Sequence, residues 1–224
     1  MTLTRSAYAQ SPNLFATFGQ ANPEKSFIFT PSAGGASFGL SSAIPVNFQY
    51  QTTNGLGPVG INIPALLTLS SVNQGSLITE GGFLIQPLQN IEMRFTSLSA
   101  PSNAGDLLRL SLTTGNLITR PGSQTASLTG TESPTGGSVV NFASDYLDFS
   151  VPLQNKNFSI SLTSIEPRIA DGGNGFLAPF TATGTGNFGS SPLPPPKNQI
   201  PEPGTLALVA LGGLLFTRRR KHAA

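Results

Sequence analysis

Several stretches of this chain alternate strictly between apolar and polar residues, and that alternation limits the fold more than any other feature. Val46-Asn47-Phe48-Gln49-Tyr50, Ile91-Glu92-Met93-Arg94-Phe95 and Leu108-Arg109-Leu110-Ser111-Leu112 show it, as do Leu147-Asp148-Phe149-Ser150-Val151 and Phe158-Ser159-Ile160-Ser161-Leu162. Side chains of a strand point to opposite faces in turn, so each stretch presents one apolar face and one polar face. Turn-forming clusters separate them: Thr53-Asn54-Gly55, Asn73-Gln74-Gly75, Ser102-Asn103-Ala104-Gly105 and Gly172-Gly173-Asn174-Gly175. Half-polar strands broken by turns predict antiparallel sheets with one face packed. No stretch before the C-terminal tail carries a helical period. The predicted fold is all-β, an antiparallel two-sheet sandwich or jelly roll.

A repeat runs through this pattern. Leu67-Thr68-Leu69-Ser70 leads to Gly75-Ser76-Leu77-Ile78-Thr79 and Gly82, and Leu108-Arg109-Leu110-Ser111 leads to Gly115-Asn116-Leu117-Ile118-Thr119 and Gly122. Both read as strand, tight turn, strand. Two copies suit similar hairpins, since a solenoid needs at least three.

The C-terminus is built on different chemistry. Gly189-Ser190-Ser191-Pro192-Leu193-Pro194-Pro195-Pro196 reads as a spacer biased to polyproline II. Pro201-Glu202-Pro203 follows and cannot be helical, because each proline fixes φ and lacks an N–H. Then comes an uncharged apolar segment: Thr205, Leu206, Ala207, Leu208, Val209, Ala210, Leu211, Gly212, Gly213, Leu214, Leu215 and Phe216. As a helix it reaches roughly 20 Å, short of the ~30 Å hydrocarbon core of a bilayer, so a span needs tilt, thinning or snorkelling. Arg218, Arg219, Arg220 and Lys221 close the segment, and a positive cluster stays on the cytoplasmic side. The N-terminal bulk then faces outward. A buried C-terminal helix of a soluble protein is the alternative for an apolar run this short.

Ile200-Pro201-Glu202-Pro203-Gly204, the apolar span and the arginine-rich end resemble the PEP-CTERM sorting signal of exported Gram-negative proteins. The resemblance implies recognition by a membrane protease-transpeptidase of the exosortase kind, with processing near Pro201-Glu202-Pro203. It also implies transient anchorage in the inner membrane and delivery to the cell surface or beyond, with exopolysaccharide as a further partner. Phe158-Ser159-Ile160-Ser161-Leu162-Thr163-Ser164-Ile165 and Phe180-Thr181-Ala182-Thr183-Gly184-Thr185-Gly186 resemble the last strands of uncharacterised cyanobacterial-type cargo domains that carry this signal.

The layout expected from these features is a signal-region remnant at 1–13, a β-domain at 14–188, a spacer at 189–199 and the sorting signal at 200–224. Ser6-Ala7-Tyr8-Ala9-Gln10 has the small-x-small form of a secretory cleavage site, although no apolar segment precedes it. Chance accounts for such a pattern equally well.

Composition excludes several activities. The formal charge of +2 becomes −2 without the four tail cations, and the other basic residues are scattered singly, so no nucleic-acid surface is expected. Cysteine is absent, which removes disulfides and thiolate metal sites. Gly35-Ala36-Ser37-Phe38-Gly39 fits a nucleophile elbow, but His222 in the basic tail is the only histidine, so the stretch reads as a glycine-rich loop. Gly55-Leu56-Gly57-Pro58-Val59-Gly60 fits a dinucleotide loop, yet Pro58 and the β-rich residues after it are wrong for a loop opening a helix. Asp145 and Asp148, three apart in a predicted strand, point to opposite faces. Asp171-Gly172-Gly173-Asn174-Gly175 is an oxygen-rich turn in which Asp171 and Asn174 are candidate Ca²⁺ ligands, against the simpler reading of a surface turn. No cofactor and no catalysis are expected. The expected role is structural or adhesive; the alternatives are a glycan-binding module, for which exposed aromatics are scarce, and a carboxylate-based hydrolase.

Overall fold

In the computed structural model, which describes residues 13–51, 62–73, 75–98, 105–133 and 137–195, alternation becomes strand almost everywhere that a turn cluster bounds it. The strands are β1 (Asn13–Gln20), β2 (Phe27–Ser32), β3 (Gly35–Leu40), β4 (Ile44–Tyr50), β5 (Ile63–Asn73) and β6 (Ile78–Glu80). They continue with β7 (Phe83–Ser97), β8 (Asp106–Thr119), β9 (Ala126–Thr131), β10 (Val140–Ala143), β11 (Gln154–Glu166) and β12 (Phe180–Ser191). The fold is all-β, with no helix among the described residues. The sorting signal and its expected helix, the Ala7-Tyr8-Ala9 site and the Gly55–Gly60 loop lie outside those residues.

All ladders are antiparallel and belong to one twelve-stranded sheet. The sheet closes on itself. From β12, one route to β5 runs through β1 and β4, and a second runs through β2 and β3. From β5 the ladder continues through β7, β8, β9 and β11 back to β12. Closure satisfies backbone groups that an open sheet leaves at its edges.

Apolar faces point inward around this circuit. Phe15, Phe18, Phe48, Phe95 and Phe188 are buried in a single core. Phe95 and Phe188 meet edge to face at 5.5 Å, although their strands, β7 and β12, stand on opposite sides of the circuit. The interior is filled from wall to wall, with no lumen along that line. Two buried polar side chains tie parts of the wall together, Gln86 by holding loops to β7 and Tyr50 by joining β4 to β8. Gln86 Nε2 donates to the Gly75 carbonyl at 2.9 Å while its Oε1 accepts from the Leu177 N–H at 3.1 Å. The Tyr50 hydroxyl donates to the Leu107 carbonyl at 2.7 Å, and burial pushes its pKa up.

The repeat proves to be something other than two hairpins. β8 runs unbroken through Gly115, and β5 and β6 lie in line along the opposite side of β7. Leu67 and Leu108 both face Phe95, Ser70 and Ser111 both face Glu92, and Ile78 and Ile118 both face Ile85. The two copies are the two flanks of one strand. The tight turn sits instead between β6 and β7, where Gly81 and Gly82 have φ of 57° and 79°, as a two-residue hairpin of type I′ requires.

Gly115 has a packing reason. A Cβ there would lie 2.7 Å from Ile91 Cδ1 and 3.0 Å from the Thr129 carbonyl oxygen. Ile91 could swing aside, but the carbonyl belongs to the β8–β9 ladder. Gly115→Ala is therefore expected to destabilise by about 1–3 kcal/mol, despite the usual strand preference for alanine over glycine. A urea midpoint equal to or above that of the native chain would contradict this packing.

Three further expectations are corrected. Leu147–Val151 is loop rather than strand, so Asp145 and Asp148 share a loop; Leu147 is buried there and Phe149 packs on Phe15 at 5.6 Å. Gly35 to Gly39, expected to be a glycine-rich loop, belong to β3, where Ser37 is paired to Thr30. Residues read as the start of the spacer belong to the folded body. β12 extends to Ser191, Leu193 packs against the core, and the Pro195 carbonyl accepts from the Asp148 N–H at 2.7 Å.

Candidate functional site

The outward faces of β5, β7, β8 and β10 carry two rows of polar side chains. Strand pairing sets Thr68, Arg94, Arg109 and Ala143 side by side, and Ser70, Glu92, Ser111 and Asn141 in the row beside them. Every one of these residues is exposed, while Leu69, Met93, Leu110 and Phe142 between them are buried. The β3–β4 turn raises one wall with Ser42 and Ala43, and β10 raises the other. The depression between them has a volume of about 630 Å³.

It does not stop at that floor. A hollow of about 290 Å³ adjoins it across Leu40, Leu69 and Ser70, adding Thr30, Ser37 and Ser41. A smaller one of about 160 Å³ adjoins it on the other side across Glu92, Ser111 and Asn141, adding Asn90 and Thr113. The three together form one open trough over six neighbouring strands. Hydroxyls and amides recur along its length, beside apolar groups such as Leu40, Leu69, Met93 and Leu110.

Two arginines sit directly opposite each other on its floor, an arrangement that repulsion alone would disfavour. Asp106 resolves it. Its buried carboxylate takes the Arg94 Nε at 2.5 Å through Oδ1 and the Arg109 Nε through Oδ2. Thr96 Oγ1 adds a contact to Oδ1 at 3.4 Å. Asp106 is itself held in place: its N–H donates to Asp145 Oδ2 at 2.7 Å and its carbonyl accepts from the Asp145 N–H at 3.0 Å. The arginine side chains remain 52% and 57% exposed, against 4% for Asp106. Nε is the atom engaged in both ion pairs, and both arginines line the trough.

The oxygen-rich turn is organised differently. Asp171 Oδ1 accepts from the Gly173 N–H at 2.8 Å and Asn174 Oδ1 from the Phe176 N–H at 3.2 Å. Both candidate ligands are thus acting as turn acceptors, the role that aspartate and asparagine take in many surface turns. No group of three or more acidic or histidine side chains among the described residues is placed to hold a metal ion.

The sorting chemistry lies in the linear sequence outside the described residues. Comparison with protein families matches residues 199–221 to the PEP-CTERM protein-sorting motif. The chain carries a PEP-CTERM sorting motif. Pro201-Glu202-Pro203, the apolar segment and the four cations Arg218 to Lys221 all fall inside the match. A PEP-CTERM motif implies export, exosortase as the processing partner and membrane-associated sorting to the cell surface. No curated protein and no solved structure matches the chain. The family match does not reach Phe158–Ile165 or Phe180–Gly186, which form much of β11 and β12.

Sequence reasoning missed the trough. The signal that could have found it was present in the polar positions of two alternating stretches, Glu92 with Arg94 and Arg109 with Ser111. Only the pairing of β7 with β8 turns four scattered residues into one surface.

Proposed function

We propose that the chain is an exported surface or extracellular-matrix protein whose β-domain adheres to extracellular polysaccharide along the trough. The observation carrying this reading is the continuity of three adjoining open hollows across the sheet, lined by polar and apolar groups side by side. A chain-like ligand uses such length, whereas a small metabolite calls for an enclosed and mostly apolar pocket. Serine, threonine and asparagine supply both donors and acceptors to sugar hydroxyls. This joins the adhesive role to the glycan-binding one.

The role proposed is binding without catalysis. Glu92 is the one acidic residue among those lining the trough, and glycoside hydrolysis generally uses two carboxylates. For the architecture we favour a flattened barrel of jelly-roll kind, supported by the closed circuit and by contact between its opposite walls. For sorting, residues Thr205 to Phe216 anchor the chain transiently in the inner membrane before exosortase processing passes the domain to the surface.

The test is affinity electrophoresis of the full-length chain in detergent through gels containing soluble polysaccharides, neutral and acidic. Retardation by at least one polymer is expected. Ser111→Tyr, which fills the centre of the floor with a residue well suited to a strand, is expected to remove it while leaving the circular dichroism spectrum unchanged. Migration unaffected by every polymer tested, or equal retardation of Ser111→Tyr, would defeat the reading.

A further inference from the structure

We propose that Arg94 and Arg109 form a carboxylate subsite in the trough, so that the polysaccharide it takes bears uronic acids. The inference rests on the polysaccharide reading above and names the class of polymer.

Three observations lead to it. The two guanidinium groups are neighbours on the floor of the central hollow, at paired positions of β7 and β8. Asp106, three residues before Arg109 on β8 and paired with Thr96 of β7, holds each through Nε, so both side chains are already tethered when a ligand arrives. A guanidinium with Nε occupied keeps its Nη1–Nη2 edge, which matches the two oxygens of a carboxylate. Tethering matters for affinity, since less side-chain entropy is lost on binding.

Glu92 sets the limit of the subsite. It lies two residues from Arg94 along β7, about 7 Å away in an extended strand, in the row shared with Ser70, Ser111 and Asn141. That row offers hydroxyl and amide groups and one carboxylate acceptor. It suits neutral sugar hydroxyls and repels a second anion. The trough is thus matched to a chain with an isolated carboxylate beside hydroxyls, and mismatched to a densely sulfated chain. The buried Asp106 charge is compensated by the same two arginines, so the pair cannot be read simply as surplus surface charge.

The experiment uses the full-length chain in detergent with Arg218, Arg219, Arg220 and Lys221 replaced by glutamine in every sample, so that the tail cannot bind polyanions. Affinities for polygalacturonate, dextran and dextran sulfate are compared near physiological salt. Polygalacturonate is expected to bind at least about 10-fold more tightly than dextran, and Arg109→Gln to remove about 10-fold of that affinity, the loss typical of a charge-assisted hydrogen-bond pair. Arg109→Gln retains Arg94 as partner to Asp106. The combined variant Asp106→Asn, Arg94→Gln, Arg109→Gln removes the buried charge together with its partners, and should bind polygalacturonate no better than dextran. Equal affinity for polygalacturonate and dextran in the parent chain overturns the subsite and leaves the trough standing. Binding to none of the polymers overturns both. Tightest binding to dextran sulfate, unchanged by Arg109→Gln, overturns the subsite in favour of diffuse charge attraction.

Discussion

Phe188→Ala is expected to cost about 3–5 kcal/mol of folding stability, the range for emptying a buried phenylalanine site. Phe188 is fully buried on β12 and touches four other rings: Phe15 at 6.5 Å, Phe18 at 6.1 Å, Phe95 at 5.5 Å and Phe142 at 6.3 Å. These partners come from β1, β7 and β10, so the ring bridges walls that no ladder joins directly to each other across the interior. Removing it leaves a void whose lining cannot collapse, because closed ladders hold the walls apart. With a urea dependence of about 2 kcal/mol per molar, the unfolding midpoint should fall by roughly 2 M. Phe188→Leu retains most of the volume and should lose less than half as much. A loss below about 1 kcal/mol for Phe188→Ala would mean that the opposite walls do not depend on each other.

Replacing Pro201, Glu202 and Pro203 with alanine is expected to abolish processing. Proline fixes φ and lacks an N–H, which disfavours helix, and an extended backbone is what a protease cleft can engage. Alanines would let helical geometry spread back from the apolar segment and would remove the recognition element. In the native host the unaltered chain should be recovered shortened close to Pro203, without Arg218 to Lys221. Its formal charge then changes from +2 to −2 with Glu202 retained, a shift easily seen by intact mass and isoelectric focusing. The alanine variant should stay full length and in the membrane fraction. Recovery of unaltered protein from the cell surface with His222 still attached would show that the motif is not cleaved.

These two expectations draw on information of different depth in the sequence. The sorting motif was legible because a linear segment carries it, each device acting through its own residues. The β character was legible for a similar reason: Ile91 to Phe95 and Leu108 to Leu112 declare buried and exposed sides within five residues. Pairing is not local, and nothing in either stretch states that Arg94 will face Arg109. Leu147 to Val151 shows the opposite failure. Its alternation is as regular as that of a strand, but Ser144 Oγ accepts from the N–H groups of Tyr146 and Leu147, turning the chain into a loop. Leu147, in a single bridge, and Phe149 then serve the core from outside the twelve strands. The repeat was visible and its meaning was not, because likeness between two segments does not reveal that both copy the demands of a third.

β12 is the strand from which the chain departs toward the sorting tail, and it is flanked along both sides. β11 lines one side, and β2 followed by β1 lines the other. Tension transmitted through the tail first meets the contacts of Leu193 and Pro195 with the body, and behind them β12, whose hydrogen bonds stand perpendicular to it in an antiparallel ladder. Such bonds are loaded together in shear and must fail as a group, whereas the bonds of a strand pulled from its edge are peeled one after another. A domain tethered by its C-terminus and gripping a polymer with the β5–β7–β8–β10 face would carry drag from a flowing medium through the strand best placed to bear it.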